Sequence, residues 1–159
     1  MLQLRGTLKL PPHSLFNSIM AIPRPSLTLT LLQAREATMS FFRPALNAQD
    51  LTEQQWRVIR ILRQQGELES HQLAHLACIL KPSMSGVLKR LERDGLVSRR
   101  KSTEDQRRIF ISLTVQGHQC FLEMSEQMER NYQEIQRQFG EEKLDQLMGL
   151  LNELKKIKP

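Results

Sequence analysis

The sequence is poor in cysteine and glycine, and both scarcities exclude classes of protein. Its two cysteines, Cys78 and Cys120, show no C-x-x-C spacing, so we expect no disulfide framework. Seven glycines in 159 residues, with no phosphate-binding loop and no G-x-S-x-G motif, indicate neither catalysis nor a cofactor. No apolar run approaches the ~20 residues that span a bilayer. We therefore expect a cytoplasmic protein that is not an enzyme and has no membrane partner.

Aromatic residues are also scarce, at 5% of the chain, although 40% of the residues are apolar. This composition supports a core and favours aliphatic packing between helices. The length suits one domain, or one domain with a helical extension. The net charge of +6 and the isoelectric point near 9.7 favour a polyanionic partner.

The basic excess is concentrated in one stretch of the chain. Residues 81–108 contain nine lysines and arginines and four acidic residues, a local net charge of +5. The last twenty residues, by contrast, carry four charges of each sign. A local excess of this kind is the electrostatic footprint of a nucleic-acid-binding protein. The alternative is a solvated charged hairpin without a partner.

The pattern of residues 81–114 predicts a helix followed by a β-hairpin. The apolar residues that recur at helical spacing are Met84, Leu88 and Leu91. Pro82 suits the first turn of a helix and Gly95 suits its C-terminal cap. Two apolar strands then flank a charged turn over residues 99–108. A helix with a polar, basic outer face before a basic hairpin is typical of a winged helix-turn-helix, whose helix enters the DNA major groove and whose wing reaches the neighbouring minor groove.

Four segments are predicted along the chain. Residues 1–25 contain four prolines and form an N-terminal arm, either disordered or packed along a partner subunit, with Met20 as an alternative start. Residues 51–113 form the winged helix-turn-helix DNA-binding domain. Residues 26–50 and 114–159 form a helical dimerisation region.

Capping residues predict where these helices begin and end. Thr52 and Gln55 form a capping box at the start of one helix. Ser70 caps a short helix and Thr114 caps a long one. Pro44 ends or kinks the first helix, and a glycine at position 140 separates the long helix from the last one.

The long helix carries more apolar surface than its own domain covers. Its stripe consists of Phe121, Met124, Met128, Tyr132, Ile135 and Phe139, and the last helix carries Leu144, Leu147, Leu151 and Leu154. A stripe without a partner in its own domain is best buried against a second copy of the chain. We therefore predict a homodimer.

Two runs of residues resemble the MarR family of winged-helix repressors, and the resemblance extends over roughly residues 26–157. These runs are R-L-E-R-D-G-L-V at Arg90–Val97 and D-Q-R-R-I-F-I-S-L-T at Asp105–Thr114. Further runs at Leu31–Ala37, Ser40–Pro44, Leu51–Arg57, Ala77–Ser83 and Glu92–Val97 resemble members that repress operons for aromatic-acid degradation. The resemblance implies a mainly α fold with a small β-hairpin. It also implies a dimeric repressor that homoprotocatechuate or 4-hydroxyphenylacetate releases from its operator.

The resemblance further implies which residues contact double-stranded DNA at a pseudo-palindromic operator. Ser83, Ser85 and Lys89 would face the major groove, and Arg107 would enter the minor groove with Asp105 orienting it. The residue pattern adds Pro82, Arg90, Arg93 and Arg108 to this surface. Gly86 stands where many members have a longer polar side chain, which weakens direct base reading there and favours the wing and DNA shape. The alternative to DNA contact is that Ser83 and Ser85 only begin the helix and that Arg107 is an ordinary surface arginine.

An aromatic acid needs a flat apolar slot and a cation for its carboxylate. The junction of the first helix, the Trp56 helix and the long helix could provide both. The candidate residues are Arg35, Met39, Phe42, Arg43, Trp56 and Arg60. Trp56 offers the flat wall, and the sequence leaves open which of the three arginines binds the carboxylate. The alternative is core packing for the aromatic residues and solvated arginines.

Three other functions were weighed. An enzyme would use His71, His75 and Cys78, but this helical spacing lacks an HExxH glutamate and a second ligand cluster, so we expect no metal. Cys78 and Cys120 would sense oxidants only as low-pKa thiols, whereas such cysteines are usually small buried residues. A helical interaction module that does not bind DNA would not need the basic wing.

Overall fold

The computed structural model describes residues 24–158, so nearly all of the predicted N-terminal arm, including Met20, lies outside the described residues. The helices are α1 (Leu27–Ser40), α2 (Arg43–Ala48), α3 (Glu53–Gln65), α4 (Ser70–Leu76), α5 (Lys81–Arg93), α6 (Val115–Phe139) and α7 (Glu141–Leu154). The strands are β1 (Leu68–Glu69), β2 (Val97–Lys101) and β3 (Ile109–Leu113). The predicted fold class, mainly α with a small β-sheet, is confirmed.

Among the described residues, 24–35 belong to one unit and 36–158 belong to a second, so the boundary falls within α1. In the first unit, the Ser26 hydroxyl caps α1 by accepting a hydrogen bond from the Leu29 backbone N–H at 3.3 Å. Leu29 and Leu32 are each more than half exposed on this helix. The described part of the first unit therefore presents apolar side chains that it does not itself bury.

Proline and a capping box set the boundaries around α2 and α3, as predicted. α1 ends at Ser40, and Pro44 occupies the first turn of α2. At the start of α3 the Thr52 hydroxyl accepts a hydrogen bond from the Gln55 N–H at 3.2 Å, and the Gln55 side chain accepts one from the Thr52 N–H at 2.9 Å. Gly66, with φ of 75°, ends the helix.

Two details of the winged region correct the sequence prediction. The N-cap of α4 is Glu69 and not Ser70, because Glu69 is extended and its N–H donates to the Gln72 side chain at 3.3 Å. β2 continues to Lys101, paired with Ile109 of β3, so the start of the predicted turn 99–108 is strand. The hairpin also gains a third strand, since β1 pairs with β3 and gives the antiparallel order β1-β3-β2.

The core lies where α3, α4 and α5 meet this sheet. Ile59, Leu73, Leu91 and Ile111 contribute one fully buried side chain from each of these four elements. The buried face of α5 consists of Met84, Val87, Leu88 and Leu91. This packing fixes the rotation of α5 about its axis and leaves its opposite face to solvent.

Helices α6 and α7 bury much less of their apolar surface. The Thr114 hydroxyl caps α6 by accepting from the Gly117 N–H at 3.0 Å, as predicted. Within the described residues, α6 fully buries only Gly117 and Met124, and α7 fully buries only Leu144. Exposed apolar side chains on the two helices include Leu122, Tyr132, Phe139, Leu147, Met148 and Leu150. This surface requires a partner of the kind that the predicted dimer supplies.

Candidate nucleic-acid interface and effector cavity

The residues predicted on the DNA-reading helix share one exposed face of α5. Pro82, Ser83, Ser85, Lys89, Arg90 and Arg93 are all exposed. They alternate with the buried residues that anchor α5 to the core, so their side chains project away from the protein. The small and the basic side chains of this face are therefore free to enter a DNA groove.

The wing between β2 and β3 is folded by local hydrogen bonds to two side chains. The buried Ser102 hydroxyl accepts from the N–H groups of Glu104 and Asp105, at 3.2 and 3.3 Å. The Asp105 carboxylate accepts from the Arg107 backbone N–H at 3.0 Å. Asp105 thus positions Arg107 through its backbone, and the exposed guanidinium lies at the wing tip.

Ion pairs neutralise part of the basic excess. The guanidinium of Arg108 lies 2.9 Å from the Glu69 carboxylate, and its hydrogen bond lowers the pKa of Glu69. Similar pairs are Arg100 with Glu67, Arg99 with Glu92, and Arg93 with Asp94. Within residues 24–158, the cations of this region without an ion pair are Lys81, Lys89, Arg90, Lys101 and Arg107. The positive charge of this surface is therefore carried mainly by these five side chains.

A groove connects the helix with the wing. It has a volume of about 270 Å³, and its lining includes Lys81 and Ser85 from α5, His71 from α4 and Arg107 from the wing. The structure therefore brings two elements that are distant in sequence to one concave, basic surface. A groove of this kind can bind a phosphate backbone, whose oxygens accept hydrogen bonds from such side chains.

A second cavity of about 360 Å³ lies between α3 and α6. Its lining is Met39, Phe42, Trp56, Arg60, Phe121, Ser125, Met128, Glu129 and Tyr132. The rings of Trp56 and Phe121 stack with centroids 5.6 Å apart and planes inclined by 16°. Four of the six predicted ligand residues, Met39, Phe42, Trp56 and Arg60, thus lie around one cavity. We call it the effector cavity.

Ion pairing distinguishes the candidate arginines. Arg43 does not line the effector cavity but bonds the carboxylates of Glu36 and Glu53, the latter at 2.5 Å, and these hydrogen bonds raise the pKa of Arg43. Arg60 lines the cavity and makes no ion pair within the described residues. Arg35 is exposed on α1 in the first unit. The structure therefore favours Arg60 as the partner of a carboxylate, while the roles of the other two stay predictions.

Comparison with known proteins decides the family. A model of the MarR family matches residues 51–109. The homoprotocatechuate degradative operon repressor of Escherichia coli is 52% identical to this chain over 128 residues, which are 80% of this chain and 86% of that protein. The chain belongs to the MarR family.

Other proteins similar to this MarR-family chain include two further transcriptional regulators and one protein solved with an aromatic acid. The HTH-type transcriptional regulator FarR of Neisseria gonorrhoeae is 47% identical over 132 residues, covering 83% of this chain and 90% of that protein. The solved transcriptional regulator PA4135 is 74% identical with a TM-score of 0.84, covering 86% and 100% of the two chains. NadR, solved in complex with 4-hydroxyphenylacetate, is 46% identical with a TM-score of 0.75, covering 86% and 96%. The prediction that the protein is a transcriptional regulator and not an enzyme is confirmed.

The effector cavity includes residues of α6 that the sequence does not single out as ligand-binding. The sequence predicts a pocket at the junction of the first helix, the Trp56 helix and the long helix, but its six candidate residues all lie on the first two of these. Phe121, Met128 and Tyr132 of the predicted apolar stripe of α6 line the cavity as well. Ser125 and Glu129 also line the cavity and gave no signal. The apolar stripe of α6 was the one signal that could have identified the first three of these residues. Its spacing shows that they share a helix face but not what packs against that face.

The residues weighed for a metal or redox site do not form one among the described residues, and Cys78 is exposed rather than buried as expected. His71 Nδ1 lies 3.0 Å from the Glu69 carboxylate. Within residues 24–158 there is no group of three or more His, Cys, Asp or Glu side chains that could hold a metal ion. Burial raises the pKa of the Cys120 thiol, which disfavours the thiolate that oxidant sensing needs. Over the same residues, every helix is too short or too polar to cross a bilayer.

Proposed function

We propose that this MarR-family chain is a homodimeric repressor of an operon for aromatic-acid degradation. Homoprotocatechuate or 4-hydroxyphenylacetate would release it from a pseudo-palindromic operator. The names of two relatives support this effector class, since one represses the homoprotocatechuate degradative operon and the other was solved with 4-hydroxyphenylacetate. Because operators are chromosomal, the protein would act in the cytoplasm.

The observation that carries the proposal is the effector cavity. Its volume of about 360 Å³ lies in the range of small-molecule sites, and its lining is largely aromatic and apolar. The Trp56 ring offers a flat surface for a phenyl ring, and Arg60 offers a cation for the carboxylate. Ser125, Glu129 and Tyr132 supply polar groups for ring hydroxyls. One cavity therefore holds each kind of group that a hydroxyphenylacetate requires.

For DNA binding, we propose that the helix and the wing contact different grooves, as in other winged helices. The exposed face of α5 would enter the major groove, and Arg107 would enter the neighbouring minor groove. Residues 51–113 would form this DNA-binding domain, and residues 26–50 and 114–159 would form the dimerisation region. The dimer would then place two recognition helices about one helical turn of DNA apart, roughly 34 Å.

Release would follow from a shift between two arrangements of the dimer. The effector cavity lies between α3, which belongs to the winged region, and α6, which belongs to the dimerisation region. An aromatic acid that binds there would stabilise the arrangement whose recognition helices do not match successive major grooves. Its effect on operator affinity can be no larger than its preference for that arrangement, about 1–3 kcal/mol or 5–150-fold.

A binding titration tests the proposal. A labelled duplex from the operator region is titrated with the protein at fixed salt, with and without each acid, and fluorescence anisotropy is measured. We expect either acid to weaken operator binding by about 5–150-fold. By linkage, saturating operator must weaken acid binding by the same factor in calorimetry. Equal acid affinities with and without operator would contradict release by these acids and leave another phenolic ligand or thiol oxidation as the signal.

A further inference from the structure

Helix α3 contacts two parts of the molecule that an effector-released repressor has to connect. On one side, Trp56 and Arg60 lie one turn apart and line the effector cavity. On another side, Arg57 reaches the end of α4, where its Nη1 donates a hydrogen bond to the carbonyl oxygen of Ala77 at 2.6 Å. Because Arg57 directly follows Trp56, a displacement of this turn of α3 moves both contacts together.

The carbonyl group that accepts this hydrogen bond belongs to the turn of the helix-turn-helix. Ala77 is the C-cap of α4, and α5 begins only four residues later at Lys81. The turn between them is constrained, because Cys78 has a left-handed φ of 50° and the buried Ile79 donates its N–H to the Ala74 carbonyl at 3.0 Å. A turn this short and constrained passes a displacement of Ala77 on to the start of α5.

The chemistry of the contact suits a mechanical link. A carbonyl group at a helix C-terminus carries partial negative charge, which a guanidinium complements. A hydrogen bond with a charged donor is also stronger than one between neutral groups. The contact is partly buried, and within residues 24–158 no other side-chain hydrogen bond joins α3 to residues 77–80.

We propose that Arg57 is the positioning residue that couples the effector cavity to the DNA-reading helix. The inference rests on the proposed function, since it specifies how effector release is regulated. An aromatic acid that enters between α3 and α6 displaces the turn of α3 that carries Trp56 and Arg60. Arg57 transmits that displacement to Ala77, and the turn re-aims the N-terminal part of α5, where Pro82, Ser83 and Ser85 lie.

The competing route runs through α6 alone. In that case the acid would rotate the whole winged region as a rigid body relative to the dimerisation helices, and the Arg57 contact would contribute only stability. The two routes differ in a measurable quantity, the coupling factor. We define it as the operator Kd with saturating acid divided by the operator Kd without acid.

The test measures the coupling factor for the full-length dimer and three variants, with 4-hydroxyphenylacetate and homoprotocatechuate as the probes. For Arg57→Ala we expect a coupling factor lower by about 2- to 30-fold, with little change in acid affinity of the DNA-free protein. Arg57→Lys retains a cationic donor and should recover part of the coupling. Thr52→Ala is the matched control, because it removes the capping box of the same helix and leaves the Arg57–Ala77 contact in place.

The outcomes separate a coupling role from a structural one. A wild-type coupling factor in Arg57→Ala would overturn the proposal and favour the route through α6. An equal loss in Thr52→Ala would also overturn it, since general weakening of α3 would then suffice. A loss in Arg57→Ala with normal coupling in Thr52→Ala supports it.

Hydrogen–deuterium exchange distinguishes failure of this inference from failure of the proposed effector. If neither acid weakens operator binding by the wild-type protein, the proposed effector is wrong. The link between α3 and the turn is still tested, because Arg57→Ala should accelerate amide exchange at residues 78–81 relative to Thr52→Ala. Unchanged exchange there would overturn the link without reference to any acid.

Discussion

Ion pairing separates the arginines of this protein into structural residues and binding residues. Arg43 holds two carboxylates together across α1, α2 and α3, and Arg108 is held by Glu69. Arg60 and Arg107 have no such partner within the described residues, and one lines the effector cavity while the other lies at the wing tip. An unpaired guanidinium can bind the anionic group of a ligand. Substitutions of Arg60 and Arg107 therefore test the proposed binding of the aromatic acid and of DNA most directly.

Arg60→Met should weaken acid binding without weakening operator binding. The substitution keeps the apolar stem and removes the only charge that we assign to the carboxylate, so affinity should fall by about 1.5–3 kcal/mol. Calorimetry with 4-hydroxyphenylacetate on the DNA-free protein measures the effect. Arg43→Met is the control and should bind the acid as the wild type does. If Arg43→Met loses acid affinity and Arg60→Met retains it, Arg43 is the partner of the carboxylate.

Gly86→Ala should stabilise the protein and impair operator binding. Gly86 lies inside α5, with Ser83 and Lys89 one turn away on the exposed face, and a Cβ at this position would meet no atom within 4 Å. Alanine in a helix interior is favoured over glycine by about 0.5–1 kcal/mol, so Tm should rise by about 1–4 °C. Because glycine stands here where many members have a longer side chain, we expect α5 to lie closer to the base edges in this protein. The added methyl group would then hold α5 away from them, with a loss comparable to one mismatched base pair, about 1–3 kcal/mol.

The control for this substitution is Gly149→Ala, on α7, where a Cβ would also meet open space. It should raise Tm to a similar extent and leave operator affinity unchanged. Calorimetric unfolding and anisotropy on the same preparations give both quantities. Tighter operator binding by Gly86→Ala would show that the backbone of α5 does not approach the bases at this point.

Among the elements, the wing has the most distinct physical role, because Ser102 and Asp105 hold its turn by hydrogen bonds while its tip is exposed. Arg107→Ala should weaken DNA binding and leave Tm unchanged, since no contact of the core is lost. If Arg107 neutralises one phosphate, the slope of log K against log salt should decrease by about 0.9. Anisotropy titrations at several salt concentrations measure the slope. An unchanged affinity and slope would exclude a role for the wing tip.

Asp105→Ala should give a milder form of the same defect. Its carboxylate accepts the Arg107 backbone N–H, so its loss frees the turn and keeps the guanidinium. The charge that contacts DNA is unchanged, and the salt slope should therefore stay near that of the wild type. A defect as large as that of Arg107→Ala would mean that the shape of the turn matters more than the charge it carries.

Local signals in the sequence predicted most elements of the fold. Thr52 with Gln55 and Thr114 marked helix starts, because an N-cap is decided by residues within one turn of each other. β1 was missed because it has two residues and exists only through pairing with β3, a contact far away in the chain. Ser70 was chosen as a cap over Glu69 because residue preference favours serine there, while the backbone of Glu69 decided otherwise.

The two candidate sites also differ in how far the sequence predicts them, because one depends on local spacing and the other on contacts between distant parts of the chain. The face of α5 follows from helical periodicity alone, so its residues were identified together. The effector cavity combines α3 with α6, and no pattern within one helix shows which other helix lies opposite. The choice among Arg35, Arg43 and Arg60 likewise depends on the ion pairs of Glu36 and Glu53, which form only in the folded chain.

At the scale of the whole molecule, exposed apolar side chains demand a second copy of the chain. Leu29 and Leu32 on α1 and Leu150 on α7 are each more than half exposed. Large apolar side chains exposed on several helices mark an interaction site in a protein that remains in solution. A two-fold dimer would bury it and would present two copies of α5 to a pseudo-palindromic operator.

Leu150→Glu should therefore dissociate the dimer and weaken operator binding more than any change on the wing. A charge buried at an apolar interface without a partner is strongly unfavourable. A monomer would also contact one half-site only, so the second set of DNA contacts would be lost. Sedimentation velocity at micromolar concentration should show a dimer for the wild type and a monomer for the variant. Asn152→Glu, which adds the same charge at an exposed polar position on the opposite face of the same helix, should remain dimeric. A wild-type monomer that still binds the full operator tightly would contradict the dimer, because one copy of α5 cannot reach two major grooves about 34 Å apart.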